Sequence, residues 1–75
     1  MTIYDIINNA IYSQTEIVIE LKDRVYIVGI PHAFDEFDTD EDRLGVEVWV
    51  DEITVQVVFM DEIISVCTIA NKATA

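Results

Sequence analysis

The fold follows from residues 15–30, TEIVIELKDRVYIVGI, in which two apolar segments flank a short polar turn. The first segment alternates between apolar and polar side chains, and this period of two predicts a half-buried strand. Asp23 and Arg24 predict a two-residue turn, after which the last six residues predict an antiparallel second strand. Gly29 inside that strand predicts a bulge or a sharp bend.

Further elements are expected on both sides of this hairpin. Thr2 and Asp5 form a capping-box-like start, and apolar residues at helical spacing behind them predict a helix over about residues 2–12. Pro31 is expected to end the second strand. The remaining expectations are a link over residues 32–43, strands at 44–51, 53–59 and 64–69, a turn at Asp51 and Glu52, and a helical turn at 60–63.

One helix followed by five short strands predicts an α+β domain. We expect an N-terminal helix followed by a five-stranded, strongly bent antiparallel sheet, as in an SH3-like or Sm-like small barrel. In the last hairpin, the alternation assigns Ile53, Val55, Val57 and Phe59 to one face, which we take as the core face. Residues 1–70 are predicted to form a single acidic domain, and residues 71–75 a frayed tail.

The composition predicts a small cytoplasmic binding protein. Fifteen acidic residues against four basic ones give a net charge of −11, which argues against direct binding of nucleic acid because phosphate contacts need Lys and Arg. We therefore expect a basic surface or a cation as the partner. No apolar run is long enough to span a bilayer or to act as a signal peptide, so we expect no membrane contact and a location in the cytoplasm of a bacterial host cell.

The single cysteine and three scattered acids are expected to be structurally ordinary. Cys67 lies in the apolar run ISVCTI and is predicted to be a buried, reduced thiol. Glu16, Glu20 and Glu47 are spread along strand faces and are interpreted as solvated positions.

The acids are most concentrated over residues 32–42, HAFDEFDTDED. Six carboxylates share this segment with two phenylalanines: Asp35, Glu36, Asp38, Asp40, Glu41 and Asp42, with Phe34 and Phe37. Such a segment can present phosphate-like charges to a basic groove, with an aromatic ring as an anchor. It can also be a plain solvated loop that Phe34 and Phe37 hold to the core.

A metal site is the third interpretation of the same segment. His32, Asp35 and Asp38 are candidate ligands for Zn²⁺, although a structural zinc normally has several Cys or His ligands. A calcium loop is excluded, because Arg43 stands where an EF-hand starting at Asp38 needs glycine. The sequence does not require any cofactor.

Trp49 allows two interpretations. It lies opposite the face formed by Val46, Val48 and Val50, so it is either an exposed anchor for a partner or a buried cover over a second packed face. Val18, Val28 and Val58 also fall opposite the expected core face, which indicates an apolar patch suited to a homodimer.

We expect no enzymatic activity. The chain has no phosphate-binding loop, no glycine-rich dinucleotide turn and no serine nucleophile motif. Cys67 and His32 are the only candidates for a nucleophile and its base, and surrounding carboxylates would raise the pKa of a thiol.

Two resemblances extend this reasoning. The run RVYIVGIPHAFDEFD, followed later by VVFMDEIISV, resembles the YolD-like small barrels of Gram-positive bacteria and their phages, which implies the fold already predicted. In size, acidity and absence of catalytic motifs, the chain is similar to phage-encoded anti-CRISPR proteins of type II systems.

The second resemblance implies a function. Several proteins of that class block Cas9 by occupying its basic nucleic-acid channel or a domain that must move. We therefore expect an inhibitor of a basic nucleic-acid-handling protein, with a Cas9-type effector as partner, and with the six carboxylates, Phe37 and Trp49 as contacts. The alternative is a metal-stabilised or dimeric structural accessory barrel of a phage or mobile element, with no inhibitory activity.

Overall fold

A computed structural model of the chain describes residues 1–37 and 43–69. The elements are α1 (Ile3–Ser13), β1 (Ile17–Leu21), β2 (Tyr26–Phe37), β3 (Arg43–Trp49), β4 (Val55–Phe59), a 3₁₀ turn (Met60–Glu62) and β5 (Ile63–Thr68). The predicted α+β class, with an N-terminal helix and a five-stranded antiparallel sheet, is confirmed. The predicted tail at 71–75 lies outside the described residues.

The strands lie in the order β4-β3-β2-β1-β5, and every neighbouring pair is antiparallel. The long strand β2 pairs with a different neighbour along each part of its length. Residues 26–29 pair with β1, and residues 30–37 pair with β3. Pairing between β4 and β5, which would close the sheet into a barrel, is not among the strand pairings of the described residues.

Strand β2 changes partner at Gly29. A Cβ atom at this position would lie 2.8 Å from Val48 Cγ1 and would also collide with the carbonyl oxygen of Trp49. Only a residue without a side chain lets β2 and β3 approach this closely, so the glycine is required by contact and not by an unusual backbone angle.

The prediction that Pro31 ends the second strand is wrong, because β2 continues to Phe37. The register with β3 shifts between Pro31 and Ala33, so the proline stands at a bulge. A bulge tolerates proline because the regular ladder of hydrogen bonds is already interrupted there. The first residues of the expected link, 32–37, are therefore part of the sheet.

Helix α1 begins as predicted. The Thr2 N–H donates to Asp5 Oδ2 at 3.2 Å, and the Asp5 N–H donates to Thr2 Oγ1 at 3.1 Å, which completes a capping box. The helix ends at Gln14, whose φ of 55° is left-handed. It packs against β2 and β5 through the buried Ile7 and Ala10.

The core lies between α1 and the inner face of the bent sheet. It consists of Ile7, Ala10, Ile17, Ile19, Ile27, Val46, Val48, Val58, Ile63 and Val66. The face predicted for β4 is wrong: Val58 is buried, whereas Val55 and Val57 are exposed. Valines occur on both faces of this strand, so its sequence does not determine the side, and pairing of Val58 with Val46 does.

Both predicted hairpin turns are one residue too short. In the first, the Leu21 N–H donates to the Val25 carbonyl at 2.9 Å, and Arg24 adopts a left-handed φ of 66°, so the loop has three residues. In the second, the Val50 N–H donates to the Thr54 carbonyl at 3.0 Å. Asp51 thus opens a three-residue loop, not a two-residue one.

Cys67 is exposed, contrary to the prediction of a buried thiol. Its neighbour Val66 is buried and takes the inner position on β5. Strand alternation then directs Cys67 outward, opposite Val18 of β1. Apolar neighbours in sequence therefore did not indicate burial at this site.

Candidate protein-binding surface

The outer face of the sheet carries a row of exposed apolar side chains. Strand pairing places Ile30 opposite Trp49 and Trp49 opposite Val55, so β2, β3 and β4 each contribute one residue. Their exposed fractions are 39%, 38% and 40%. A contiguous apolar row, unlike scattered single residues, marks a candidate interaction surface. Of the two interpretations of Trp49, the outer-face position is the one observed.

An open groove of about 380 Å³ runs beside Trp49. We call it the Trp49 groove, and its lining consists of Glu16, Ile30, Trp49, Val50, Asp51 and Glu52. It combines an aromatic ring, two aliphatic side chains and three carboxylates. A smaller groove of about 260 Å³ shares Ile30 and Trp49 and also includes His32.

The three carboxylates reach the Trp49 groove from different parts of the chain. Glu16 directly precedes β1. Its carbonyl oxygen accepts a hydrogen bond from the Ile69 N–H at 3.0 Å, which holds the backbone of Glu16 beside the end of β5. Asp51 and Glu52 belong to the loop after β3. The loop thus holds Glu52 near Trp49, three residues before it, whereas strand pairing brings the sequence-distant Glu16 to the same groove.

Asp51 also shapes the loop that carries it. Its Oδ1 accepts the Ile53 N–H at 2.9 Å and the Thr54 N–H at 2.8 Å. Hydrogen bonds from the backbone of Ile53, followed by those from Thr54, hold the pKa of Asp51 below its ordinary value because they favour the ionised form. The groove thus keeps this negative charge into acid solution.

Positive charge lies away from the Trp49 groove in the described part of the chain. Lys22 and Arg24 occupy the β1–β2 turn, and Lys22 is six residues from Glu16, or about 20 Å along the hairpin. No Lys or Arg of residues 1–37 and 43–69 lines the groove.

Arg43 is engaged elsewhere. Its Nε donates to Asp61 Oδ2 at 3.0 Å and its Nη2 donates to Asp61 Oδ1 at 2.7 Å. The guanidinium carbon also lies 3.8 Å from the centroid of the Phe59 ring. The groove is therefore negative and apolar, with no nearby described cation to neutralise it.

The described acids of the predicted segment, Asp35 and Glu36, lie toward the other end of β3. Asp35 pairs with Gly45, Glu36 with Leu44, and Phe37 with Arg43. Gly45 is four residues from Trp49, or about 13 Å along the strand. The structure therefore separates Asp35 and Glu36 from Trp49. Four further predicted contacts, Asp38, Asp40, Glu41 and Asp42, lie outside the described residues.

His32 is brought to Trp49 and not into a cluster of acids. It stands exposed at the β2 bulge, with its ring edge-on to Trp49 at a centroid distance of 6.4 Å and an interplanar angle of 90°. Within residues 1–37 and 43–69, no group of three or more His, Cys, Asp or Glu side chains is arranged to hold a metal. Asp38, the third proposed ligand, lies outside those residues.

Sequence reasoning missed the acids of the Trp49 groove. Glu16 was interpreted as an ordinary solvated position, and only the folded hairpin brings it to this groove. Asp51 and Glu52 were interpreted as turn residues alone. Their position directly after a tryptophan-bearing strand was the available signal, because a tight hairpin loop stays near the end of its strand.

The geometry defines a small α+β domain with an aromatic and acidic surface. Comparisons with protein-family models, with curated proteins and with solved structures found no match. Among the described residues, no helix has both the length and the apolar character needed to cross a membrane.

Proposed function

We propose that this chain is a small acidic inhibitor that binds a basic nucleic-acid-handling protein in a bacterial cytoplasm. The observation that carries the proposal is the Trp49 groove, in which a 38% exposed tryptophan lies beside three carboxylates. A Cas9-type effector is the first partner to test, because such proteins hold their nucleic acids in positively charged channels.

The chemistry of the Trp49 groove suits a Lys or Arg side chain. A cation over the face of an indole ring is attracted by the ring quadrupole, and Trp is the best residue for this contact. Glu16 and Glu52 add ion pairs, while Ile30 and Val50 cover the aliphatic part of the basic side chain. Trp and Arg are also the residues that most often dominate the energy of protein interfaces.

The net charge of −11 supplies the longer-range attraction. Complementary fields steer two proteins toward encounter and raise the association rate at low salt. Asp35 and Glu36 extend this field toward the far end of β3. Inhibition then results because the chain occupies basic surface that nucleic acid would bind, or restrains a domain that must move.

A competition experiment tests this function. A purified Cas9-type effector is mixed with the chain before or after it receives guide RNA, and cleavage of target DNA is measured with the chain in excess. The proposal expects binding and loss of cleavage, strongest when the chain is added first. Full cleavage at saturating chain, with no complex on size-exclusion chromatography, contradicts it.

A dimeric accessory protein is the second candidate, favoured by the exposed row Ile30–Trp49–Val55. Two copies joined at that row would bury apolar surface without any basic partner. Sedimentation equilibrium in physiological salt separates the two functions: a stable dimer supports the accessory role, and a monomer supports the inhibitor.

A further inference from the structure

Among residues 1–37 and 43–69, strand β4 pairs with β3 alone, and its outer edge differs from the rest of this acidic chain. Residues 53–60, ITVQVVFM, contain no charged residue and no proline. Proteins usually protect an exposed edge strand with charges, proline or a bulge, since unpaired backbone groups recruit other strands. At the opposite edge, β5 contacts α1. The edge of β4 thus combines an apolar sequence with a position at the border of the sheet.

The register identifies which backbone groups of β4 face outward. The Val50 N–H donates to the Thr54 carbonyl, so these two residues form a hydrogen-bonded pair. In an antiparallel ladder, hydrogen-bonded pairs alternate with non-hydrogen-bonded pairs. Val48 and Gln56 therefore form the next hydrogen-bonded pair, and the pairs of Val55 with Trp49 and of Val57 with Glu47 are not hydrogen-bonded. The N–H and C=O groups of Val55 and Val57 therefore point away from β3, toward the position of a sixth strand.

The side chains of the same two residues are available as well. Val55 is 40% exposed and Val57 is 41% exposed, and both stand on the outer face with Trp49. An added strand would hydrogen-bond to their backbone and would place alternate apolar side chains beside theirs, which is the usual mode of strand addition.

The charges at the ends of β4 indicate the occupant. Asp51 and Glu52 precede the uncharged stretch, and Asp61 and Glu62 follow it. A second copy paired antiparallel about Val57 would bring Glu52 of one chain to Glu62 of the other, and like charges placed opposite each other destabilise strand pairing. An extended segment with Lys or Arg at both ends meets complementary charge instead.

We propose that β4 binds an extended segment of the basic partner as a sixth strand, with Lys or Arg flanking alternating apolar residues. This inference rests on the proposed function, because it takes the partner to be basic. The added strand lies next to the row Ile30–Trp49–Val55, so one continuous segment can pair with β4 and extend a basic side chain into the Trp49 groove.

The test uses a synthetic ten-residue probe, Lys-Arg-Thr-Val-Thr-Val-Thr-Val-Arg-Lys, and amide hydrogen exchange of the full chain. The probe is expected to slow exchange at Val55 and Val57 selectively. A control peptide with proline in place of two of the three valines keeps the charge but lacks the N–H groups that would face β4, and it should leave both amides unprotected. Equal effects of the two peptides, or no protection by the probe, overturn the proposal.

Variants at Val57 separate backbone pairing from side-chain contact. Val57→Pro removes an N–H that points away from β3, a change that an edge strand tolerates. It should weaken probe binding about tenfold relative to Val57→Ala, because about tenfold in Kd corresponds to the loss of one or two hydrogen bonds. Equal affinity of the two variants contradicts strand addition.

The inference and the function can fail separately. If the chain inhibits the effector and Val57→Pro inhibits as well as Val57→Ala, strand addition is wrong and the proposed function stands. If the probe protects Val55 and Val57 but no basic nucleic-acid-handling protein binds, the edge site stands and the proposed function is wrong. Protection of these amides in the chain alone, rising with its concentration, identifies a second copy as the occupant and overturns the proposal.

Discussion

Trp49 is the residue on which the proposed recognition depends most. It is the middle member of the row Ile30–Trp49–Val55, and it also borders both grooves of the outer face. The residue is only 38% exposed, so the orientation of its side chain is already restricted by its neighbours before a partner arrives. A side chain held in place loses little conformational entropy on binding, which favours its use as an anchor.

Replacing Trp49 should therefore weaken partner binding strongly. For Trp49→Ala we expect a loss of about 2 kcal/mol, or about 30-fold in Kd, typical of an interface hot spot. Calorimetric titration against the effector measures it, with thermal melting to verify folding. Tyr12→Ala removes an aromatic ring that is 84% exposed on α1, and serves as the control with unchanged affinity. Equal affinities of both variants would remove Trp49 from the interface.

Asp61 has a structural role that depends on pH. The hydrogen bonds donated by Arg43, reinforced by the charge of Arg43, hold the pKa of Asp61 below its ordinary value of 3.8. A carboxyl group with a lowered folded-state pKa stabilises the fold fully above its unfolded pKa, and this contribution disappears as the pH falls through the folded pKa.

Asp61→Asn should accordingly lower the Tm at pH 7, and its difference from the parent chain should shrink once the pH falls below about 3.8. Circular dichroism melts at stepwise pH measure this. Asp35→Asn, which removes the same charge without an Arg partner, should leave the Tm unchanged or raise it by relieving repulsion. An Asp61→Asn chain as stable as the parent at pH 7 would show that the pair with Arg43 does not stabilise the fold.

At the scale of elements, the bend of β2 determines the position of the proposed binding surface. Residues 26–29 pair with β1 and residues 30–37 with β3, so the direction of Ile30 and its partner Trp49 depends on the turn of the strand between them. The bend requires close contact at Gly29, where the Trp49 carbonyl oxygen and Val48 Cγ1 leave no space for a Cβ atom.

Gly29→Ala should lower the free energy of unfolding by about 1–3 kcal/mol, because a side chain inserted into a packed contact forces the strands apart. Urea denaturation followed by circular dichroism measures this value. Val28→Ala, a truncation at a neighbouring residue that is 44% exposed, should cost about 0.5 kcal/mol or less. If Gly29→Ala is as stable as Val28→Ala, β2 and β3 do not require the close approach.

Local signals in the sequence predicted some elements and not others. The start of the helix could be predicted because the side chains of Thr2 and Asp5 each accept a hydrogen bond from the other residue's backbone N–H within one turn. The inner face of β4 could not be predicted, because Val57 and Val58 are equally apolar and only pairing with β3 determines which of them is buried. The prediction that Pro31 ends β2 was wrong because proline interrupts a regular ladder of hydrogen bonds but is tolerated at a bulge.

The same limit applies to the candidate site. Trp49 was identifiable from its place opposite three valines, and the six carboxylates of residues 32–42 from their density. Glu16 could not be identified as part of the site from the sequence, because its proximity to Trp49 arises from the pairing of β1 with β2 and of β2 with β3. A surface assembled across three strands is a property of topology, and no local pattern in the sequence encodes it.

For the whole molecule, acidity and apolar exposure act together. A net charge of −11 on 75 residues destabilises a small core through self-repulsion, while the exposed row Ile30–Trp49–Val55 leaves apolar surface in water. Both costs decrease when a basic, partly apolar surface covers the outer face. We therefore expect the charge and the exposed apolar residues to be compensated best in the proposed complex.

The most direct test is the affinity of the chain for a Cas9-type effector, measured by calorimetric titration at increasing salt. Glu16→Gln/Glu52→Gln removes two charges from the Trp49 groove, and Glu20→Gln/Asp23→Asn removes two charges elsewhere. The account predicts that parent affinity falls as salt rises, and that the groove variant binds several-fold more weakly than its charge-matched control, with a shallower salt dependence. Equal affinities of the two variants, or parent binding that is insensitive to salt, would contradict it.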